Sequence, residues 1–139
     1  MRILLVDDEV TLLRAFGRAL GRSSLVTEAH CAAAAKEALA AATFDVVVTD
    51  YNMPGVDGIA LLTFVAEFYP ATRRILISGR RPPTSPVVEA FLEKPLGADA
   101  LLKAIAALPP RGVLALASAH LGAVNSPIST VPMESSPST

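Results

Sequence analysis

The chain has 139 residues, of which 52% are hydrophobic and 18% are charged, and its formal net charge is −1. This length fits one domain with a sizeable core, and the composition is not that of a disordered chain. The balanced charge argues against nucleic-acid binding, and the arginine pairs at 73–74 and 80–81 are interpreted as solvated loop or strand ends.

The single cysteine, Cys31, excludes an intramolecular disulfide and is interpreted as a small buried or half-buried apolar residue. The apolar run at the N-terminus is too short for a secretory signal, and the apolar stretch at 112–124 is too short to span a bilayer. We therefore expect a soluble, cytoplasmic protein that does not bind membranes.

Short β-like runs alternate with helix-like segments along the chain. In order, the predicted strands are 3–6, 25–29, 45–49, 74–78 and 90–93. The predicted helices are 12–20, 32–42, 61–68 and 98–108, and the third carries the apolar stripe Leu61, Leu62, Val65 and Phe68. This alternation predicts an α/β fold with a parallel sheet that helices cover on both faces.

Two prolines, Pro109 and Pro110, are predicted to end the domain, which then spans residues 1–108. The remaining tail, 109–139, has the apolar segment 112–124 and then a Ser/Thr/Pro-rich end that is predicted to be disordered. From this division we expect no separate DNA-binding domain in the chain.

Polar residues directly follow four of the predicted strands. They are Asp7 and Asp8 after the first strand, Asp50 after the third, Ser78 after the fourth and Lys94 after the fifth. The carboxyl ends of parallel strands lie at one edge of the sheet, so these side chains are expected to converge. Three neighbouring carboxylates repel one another, and a Mg²⁺ ion is the usual remedy for such an all-oxygen cluster.

Four stretches of the chain resemble the motifs of response-regulator receiver domains. They are Val-Asp-Asp-Glu at 6–9, Thr-Asp-Tyr-Asn-Met-Pro-Gly-Val-Asp-Gly at 49–58, Ile-Ser-Gly at 77–79 and Glu-Lys-Pro at 93–95. The resemblance covers residues 1 to about 108. It implies the flavodoxin-like, doubly wound fold with a five-stranded parallel sheet in the order 2-1-3-4-5.

The resemblance also implies the function of each site residue. Asp50 accepts a phosphoryl group from a histidine kinase or phosphotransfer protein. Mg²⁺ is contacted by Asp8, Asp50 and the backbone carbonyl of Asn52, and by Asp7 through water. A protein of this kind is a switch that changes its binding to a downstream protein, and it is not an enzyme beyond some self-dephosphorylation.

The remaining implied roles concern the phosphorylated state. The Ser78 hydroxyl donates a hydrogen bond to the phosphoryl group, and the Lys94 ammonium pairs with it. The Lys94–Pro95 peptide bond is expected to be cis. Phe91 stands where the family has an aromatic residue that reports phosphorylation to the outer face.

The chain departs from the family between Ser78 and Lys94, where it is several residues shorter. The stretch 79–86 holds three prolines and a glycine, so the family's fourth helix is predicted to be absent or reduced to a turn. The loss would expose apolar sheet surface and favour a cover from the tail, a partner or a second copy in a homodimer.

Three functions are compatible with these residues. The first is a stand-alone receiver that is phosphorylated on Asp50. The second is a degenerate receiver that binds a partner without phosphorylation, which the missing helix favours. The third is a phosphatase with an aspartate nucleophile; such enzymes usually have an acid two residues later, where this chain has Asn52, which cannot donate the proton.

Overall fold

Strands and helices alternate along residues 1–109, the part of the chain that the computed structural model describes. The elements are β1 (Arg2–Val6), α1 (Val10–Leu20), β2 (Leu25–Ala29), α2 (Ala32–Ala41), β3 (Val46–Asp50), α3 (Gly58–Phe68), β4 (Arg73–Ser78), β5 (Ala90–Glu93) and α4 (Ala98–Ala107). Every predicted strand and helix is present. The predicted tail lies outside the described residues except for Pro109.

The strands form one parallel sheet in the order β2-β1-β3-β4-β5. The central strand β3 is buried along its whole length, as expected for Val-Val-Val between helices on both faces. The flavodoxin-like order predicted from the resemblance is therefore confirmed.

Alternate residues of the strands enter two separate cores because successive side chains point to opposite faces of a sheet. Leu4, Val47 and Leu76 pack in the core beneath α2 and α3. Ile3 and Ile75 pack in the core beneath α1 and α4. The described helices are too short or too polar to include a candidate membrane span.

Between β4 and β5, the described residues contain no helix, only a turn at Ser85–Val88. The prediction for this stretch is confirmed. Its physical cause is proline, which lacks a backbone N–H and disfavours helical geometry in the residue before it.

Arg74 holds this shortened connection in place. Its guanidinium donates a 2.8 Å hydrogen bond to the carbonyl of Val87 and a 3.0 Å bond to the carbonyl of Thr72. The Glu89 carboxylate accepts a 2.8 Å hydrogen bond from the Arg74 backbone N–H and lies 3.8 Å from the Arg73 guanidinium. The interpretation of Arg73 and Arg74 as solvated was wrong, because both are half-buried and paired with Glu89.

The variant Glu89→Ala is expected to lower the free energy of unfolding by about 1–2 kcal/mol, because it leaves two half-buried arginines without this carboxylate. Urea unfolding at neutral pH measures the change. The matched control is Glu93→Ala at the end of β5, where the side chain is exposed and little change is expected. Equal losses in the two variants would show that Arg73 and Arg74 do not depend on Glu89.

The third helix differs from its prediction at one position of the apolar stripe. Leu61, Leu62 and Val65 are fully buried, whereas Phe68 is 60% exposed. The helix ends at Phe68, where the chain turns through Tyr69, so this last side chain extends beyond the edge of the core. The sequence periodicity alone could not indicate that this last side chain is left largely exposed.

Candidate functional site

Three carboxylates meet at the carboxyl end of the sheet. Asp7 follows β1 and is 8% exposed, Asp50 is the last residue of β3 and is 7% exposed, and Asp8 is exposed. One oxygen from each lies within 4.8 Å of the others. The structure thus brings together the acids that the sequence placed at two separate strand ends.

The position of these acids follows from the strand pairing. The backbone N–H of Asp7 donates a 3.1 Å hydrogen bond to the carbonyl of Ala29, which continues the pairing of β1 with β2. The N–H of Tyr51 likewise donates a 2.8 Å bond to the carbonyl of Ile77 on β4. Neighbouring strands therefore hold the backbone beside Asp7 and Asp50 in place.

Lys94 supplies the cation of the site. Its Nζ lies 3.1 Å from Asp7 Oδ2 and 3.2 Å from Asp50 Oδ1. The residue reaches this position because its backbone N–H donates a 2.8 Å hydrogen bond to the carbonyl of Ser78, which extends the pairing of β5 with β4. The Lys94–Pro95 peptide bond that follows is cis, as predicted. In this structure the ammonium pairs with two carboxylates.

Burial raises the pKa of the Asp50 carboxyl above its ordinary value, and the nearby charge of Asp7 raises it further. The Lys94 ammonium lowers this pKa but does not offset the other two effects. Because the pKa is higher in the folded state than in the unfolded chain, ionised Asp50 reduces stability. This reduction is absent below the ordinary carboxyl pKa of about 4 and develops as pH rises through the raised pKa.

Burial alone would lower the pKa of Lys94, but its hydrogen bond to Asp7 and the charges of Asp7 and Asp50 raise this pKa overall. While Asp7 and Asp50 are ionised, the pairing therefore stabilises the fold fully below the ordinary lysine pKa of about 10.4, and the contribution is lost as pH rises through the raised pKa. Lys94 is a cation throughout the neutral range.

Ser78 and Asn52 occupy the positions that the strand order requires. Ser78 ends β4 with its side chain buried, and its Oγ accepts a 3.2 Å hydrogen bond from the backbone N–H of Arg80. Asn52 is exposed in the loop after β3. The roles of Ser78 at a phosphoryl group and of the Asn52 carbonyl at a metal remain predictions.

Two local features support the acids and were not predicted as part of the site. The N–H of Glu9 donates a 2.9 Å hydrogen bond to Asp7 Oδ1, which orients that carboxylate. Gly58 begins α3 against the backbone at Asp50 and Tyr51, so closely that a Cβ would overlap the Asp50 carbonyl oxygen. The sequence shows a glycine at this place in the 49–58 motif, but only the packing shows that the nearby Asp50 carbonyl oxygen requires it.

The N-cap positions of α1 and α3 are held by residues other than the three clustered acids. Asp57 caps α3, with Oδ1 accepting a 2.8 Å hydrogen bond from the N–H of Ala60. Glu9 is the N-cap residue of α1 and makes no side-chain capping bond there. Asp7 and Asp8 are thus available to the cluster with Asp50.

The donor atoms of this cluster suit a hard divalent cation. All three side chains offer carboxylate oxygens, and both the crowding of Asp7 with Asp50 and the raised pKa of Asp50 are what a cation would relieve. Oxygen donors without sulfur or imidazole favour Mg²⁺ or Ca²⁺ over zinc. The residues present therefore fit Mg²⁺.

The family model of the response regulator receiver domain matches residues 3–106 of this chain. A probable transcriptional regulatory protein, NarL of Mycobacterium tuberculosis, is 36% identical over 86 residues, which are 60% of this chain and 40% of NarL. The chain thus spans about two fifths of the length of this relative.

Solved structures show the same fold. A response regulator receiver domain protein from Clostridium thermocellum superposes with a TM-score of 0.69 at 26% identity, covering 75% of this chain and 90% of that chain. The response regulator TrrA from Thermotoga maritima, solved in complex with Mg²⁺ and BeF, has a TM-score of 0.69 at 21% identity and covers 75% and 95% of the two chains.

Proposed function

This chain belongs to the response regulator receiver domain family, and on that premise we propose that it is a phosphorylation switch whose acceptor is Asp50. The observation that supports the proposal is the contact of Lys94 with Asp7 and Asp50, at 3.1 and 3.2 Å, beside a third carboxylate. A capping or solvated acid would not need a half-buried lysine aimed at it.

The proposed reaction is the transfer of a phosphoryl group from a phosphohistidine of a histidine kinase or phosphotransfer protein. A carboxylate oxygen of Asp50 attacks the phosphorus, and a new O–P bond forms while the P–N bond breaks. The departing imidazole nitrogen keeps the electron pair of that bond and takes a proton from water. The product is an aspartyl phosphate.

The residues of the chain position and neutralise the group that arrives. The Lys94 ammonium is close enough to the acceptor to pair with a phosphoryl oxygen in place of Asp7. The Ser78 hydroxyl, at the adjoining strand end, would donate a hydrogen bond to another oxygen once its side chain turns out of the core.

We further propose that Asp7, Asp8 and Asp50 hold Mg²⁺. When bound, the ion would supply positive charge that offsets the carboxylates and the phosphoryl oxygens. The Mg²⁺–BeF complex of the Thermotoga relative supports this proposal because that protein shares the fold. The downstream partner is proposed to be a protein, and the stand-alone form of the receiver remains a prediction.

The proposal is tested by incubating the protein with acetyl phosphate, with and without Mg²⁺, and measuring its intact mass. We expect one phosphoryl group on the parent with Mg²⁺, and none on Asp50→Asn. The matched control is Asp57→Asn, because asparagine also caps helices and Asp57 is a neighbouring exposed acid. Equal labelling of the parent and Asp50→Asn would contradict the assignment of Asp50.

The absence of a helix between β4 and β5 in the described residues supports a second candidate, a receiver that binds its partner without phosphorylation. In that case Mg²⁺ should bind no more tightly to the parent than to Asp8→Ala. We propose that neither form is a phosphatase, since Asn52 cannot act as the general acid. Sustained turnover of a small phosphate ester would contradict this.

A further inference from the structure

An aromatic side chain lies exposed at the end of the fold opposite the acids. Phe68 is 60% exposed at the last position of α3, and it is the only exposed aromatic residue within 1–109. Its ring centroid is 4.9 Å from that of Phe64, which in turn is 6.1 Å from that of Tyr69. These three residues form a continuous surface, here called the aromatic ridge.

Beside the ridge lies an apolar cleft of about 410 Å³, here called the end cleft. Its main lining residues are Ala40, Ala41, Phe44, Tyr69, Pro70 and Ala71, and none of its lining residues is charged. Cavities of about 150 Å³ already hold a benzene ring, so the end cleft has room for a phenylalanine side chain. Tyr69 belongs to both features, so the ridge and the cleft adjoin.

We propose that this face is a homodimer interface, in which Phe68 of each copy enters the end cleft of the other. A protruding aromatic residue next to an apolar cleft makes a surface that is complementary to the same surface of a second copy. When two copies are related by a two-fold axis, each Phe68 fills the cleft of the other. Buried aromatic residues in pockets are the usual centres of binding energy in interfaces. The same pairing would remove the exposed apolar surface of the ridge from water.

The charges around the ridge favour a second copy as the occupant. Lys36 lies with its ammonium 4.6 Å from the centroid of the Phe64 ring, while Glu67 is exposed next to Phe68. Each copy therefore presents a cation and an anion beside the ridge. A two-fold arrangement can place Lys36 of one copy against Glu67 of the other, which adds charge complementarity to the apolar contact.

The proposed interface is independent of the phosphorylation site. The end cleft is lined by Phe44 and Thr72, which precede β3 and β4, whereas Asp50 ends β3. These residues lie at opposite ends of the sheet. Dimer formation would leave the acids open, and its failure would not affect the assignment of Asp50.

The test is sedimentation equilibrium of the full chain over a range of concentrations, with Phe68→Ser and a matched control. We expect a dimer for the parent and at least about a tenfold higher dissociation constant for Phe68→Ser, as expected for loss of an aromatic anchor. The control, Leu25→Ser, removes another large apolar side chain that is 66% exposed on the edge strand β2 and should leave the dimer intact.

A charge exchange tests the orientation. Lys36→Glu should weaken the dimer, and the double variant Lys36→Glu with Glu67→Lys should restore it. A parent that stays monomeric at its highest soluble concentration would overturn the proposal. So would a dimer that is unaffected by Phe68→Ser, or one that Leu25→Ser weakens equally.

Discussion

Replacing Lys94 by methionine is expected to lower the free energy of unfolding by about 2 kcal/mol at neutral pH without divalent cations. Removing one partner of a fully buried ion pair costs about 3–5 kcal/mol. The Lys94 side chain is 23% exposed, so the loss should fall below that range. Methionine keeps an unbranched apolar stem of similar length, so the change chiefly removes the ammonium from Asp7 and Asp50.

The pH dependence separates charge from packing in this variant. Lys94 lowers the pKa of Asp50, so without it the pKa of that carboxyl rises further above its ordinary value. The stability deficit should be largest where Asp7 and Asp50 are ionised and should shrink as pH falls toward about 4. A deficit that is the same across this range would show that only the packing of the stem was lost.

A double variant measures the energetic coupling between Lys94 and Asp50. In the parent, the Lys94 ammonium offsets the charge of the Asp50 carboxylate. Asp50→Asn removes this carboxylate, so in the Lys94→Met background it should recover part of the lost stability. The matched control is Lys103→Met on the exposed surface of α4, where little change is expected. In the mass assay, Lys94→Met should slow phosphorylation about a hundredfold, the usual cost of losing one charge-stabilising group.

Gly58→Ala is expected to destabilise the domain by about 3 kcal/mol or more, which is the upper part of the usual cost of overpacking. A Cβ at this position would overlap the backbone carbonyl oxygen of Asp50 and lie 2.8 Å from the Leu76 side chain and 2.9 Å from Tyr51 Cα. Backbone atoms cannot swing aside as a flexible side chain can. The start of α3 would therefore have to move away from β3.

Thermal unfolding followed by circular dichroism measures this effect, and the melting temperature should fall by at least about 10 °C for a domain of this size. The control is Gly79→Ala, because a Cβ there meets no atom within 4 Å. If the two alanine variants melted together, close packing would not be the reason for glycine at position 58. Phosphorylation of Gly58→Ala should also fall, because the loop that joins Asp50 to the start of α3 would have to shift.

The shortened connection between β4 and β5 has a structural substitute for the missing helix. Arg74 binds Val87 and Glu89 and so ties the end of the connection that leads into β5 to the sheet. Val87 and Val88 pack against the core beneath α2 and α3. Phe91 is half-buried, with the Arg81 guanidinium 5.8 Å from the centroid of its ring. A movement of Phe91 on phosphorylation would therefore have to displace Arg81.

The alternation of strands and helices could be predicted from the sequence by itself. The cause is that apolar periodicity is a local property of the chain, and β1 and β3 carry unbroken apolar runs that only a sheet covered on both faces can bury. The absence of a helix after Ser78 was equally local, because prolines act on their own backbone and on the residue before them.

The grouping of Asp7, Asp8 and Asp50 could also be anticipated, because a parallel sheet collects its carboxyl ends at one edge. The extent to which the pKa of Asp50 is raised could not be, since it depends on burial and on the distances to Asp7 and Lys94. The sequence likewise indicated glycine at 58 but not the carbonyl that requires it.

Tertiary structure alone decided which members of a local pattern are buried. Arg73 and Arg74 were expected in solvent. Both instead pair with the carboxylate of Glu89, a residue distant in sequence, and are half-buried beside it. Phe68 was expected in the core, yet it is 60% exposed at the last position of α3. Periodicity reports the direction of a side chain from its own helix, whereas burial depends on whether another part of the chain covers it.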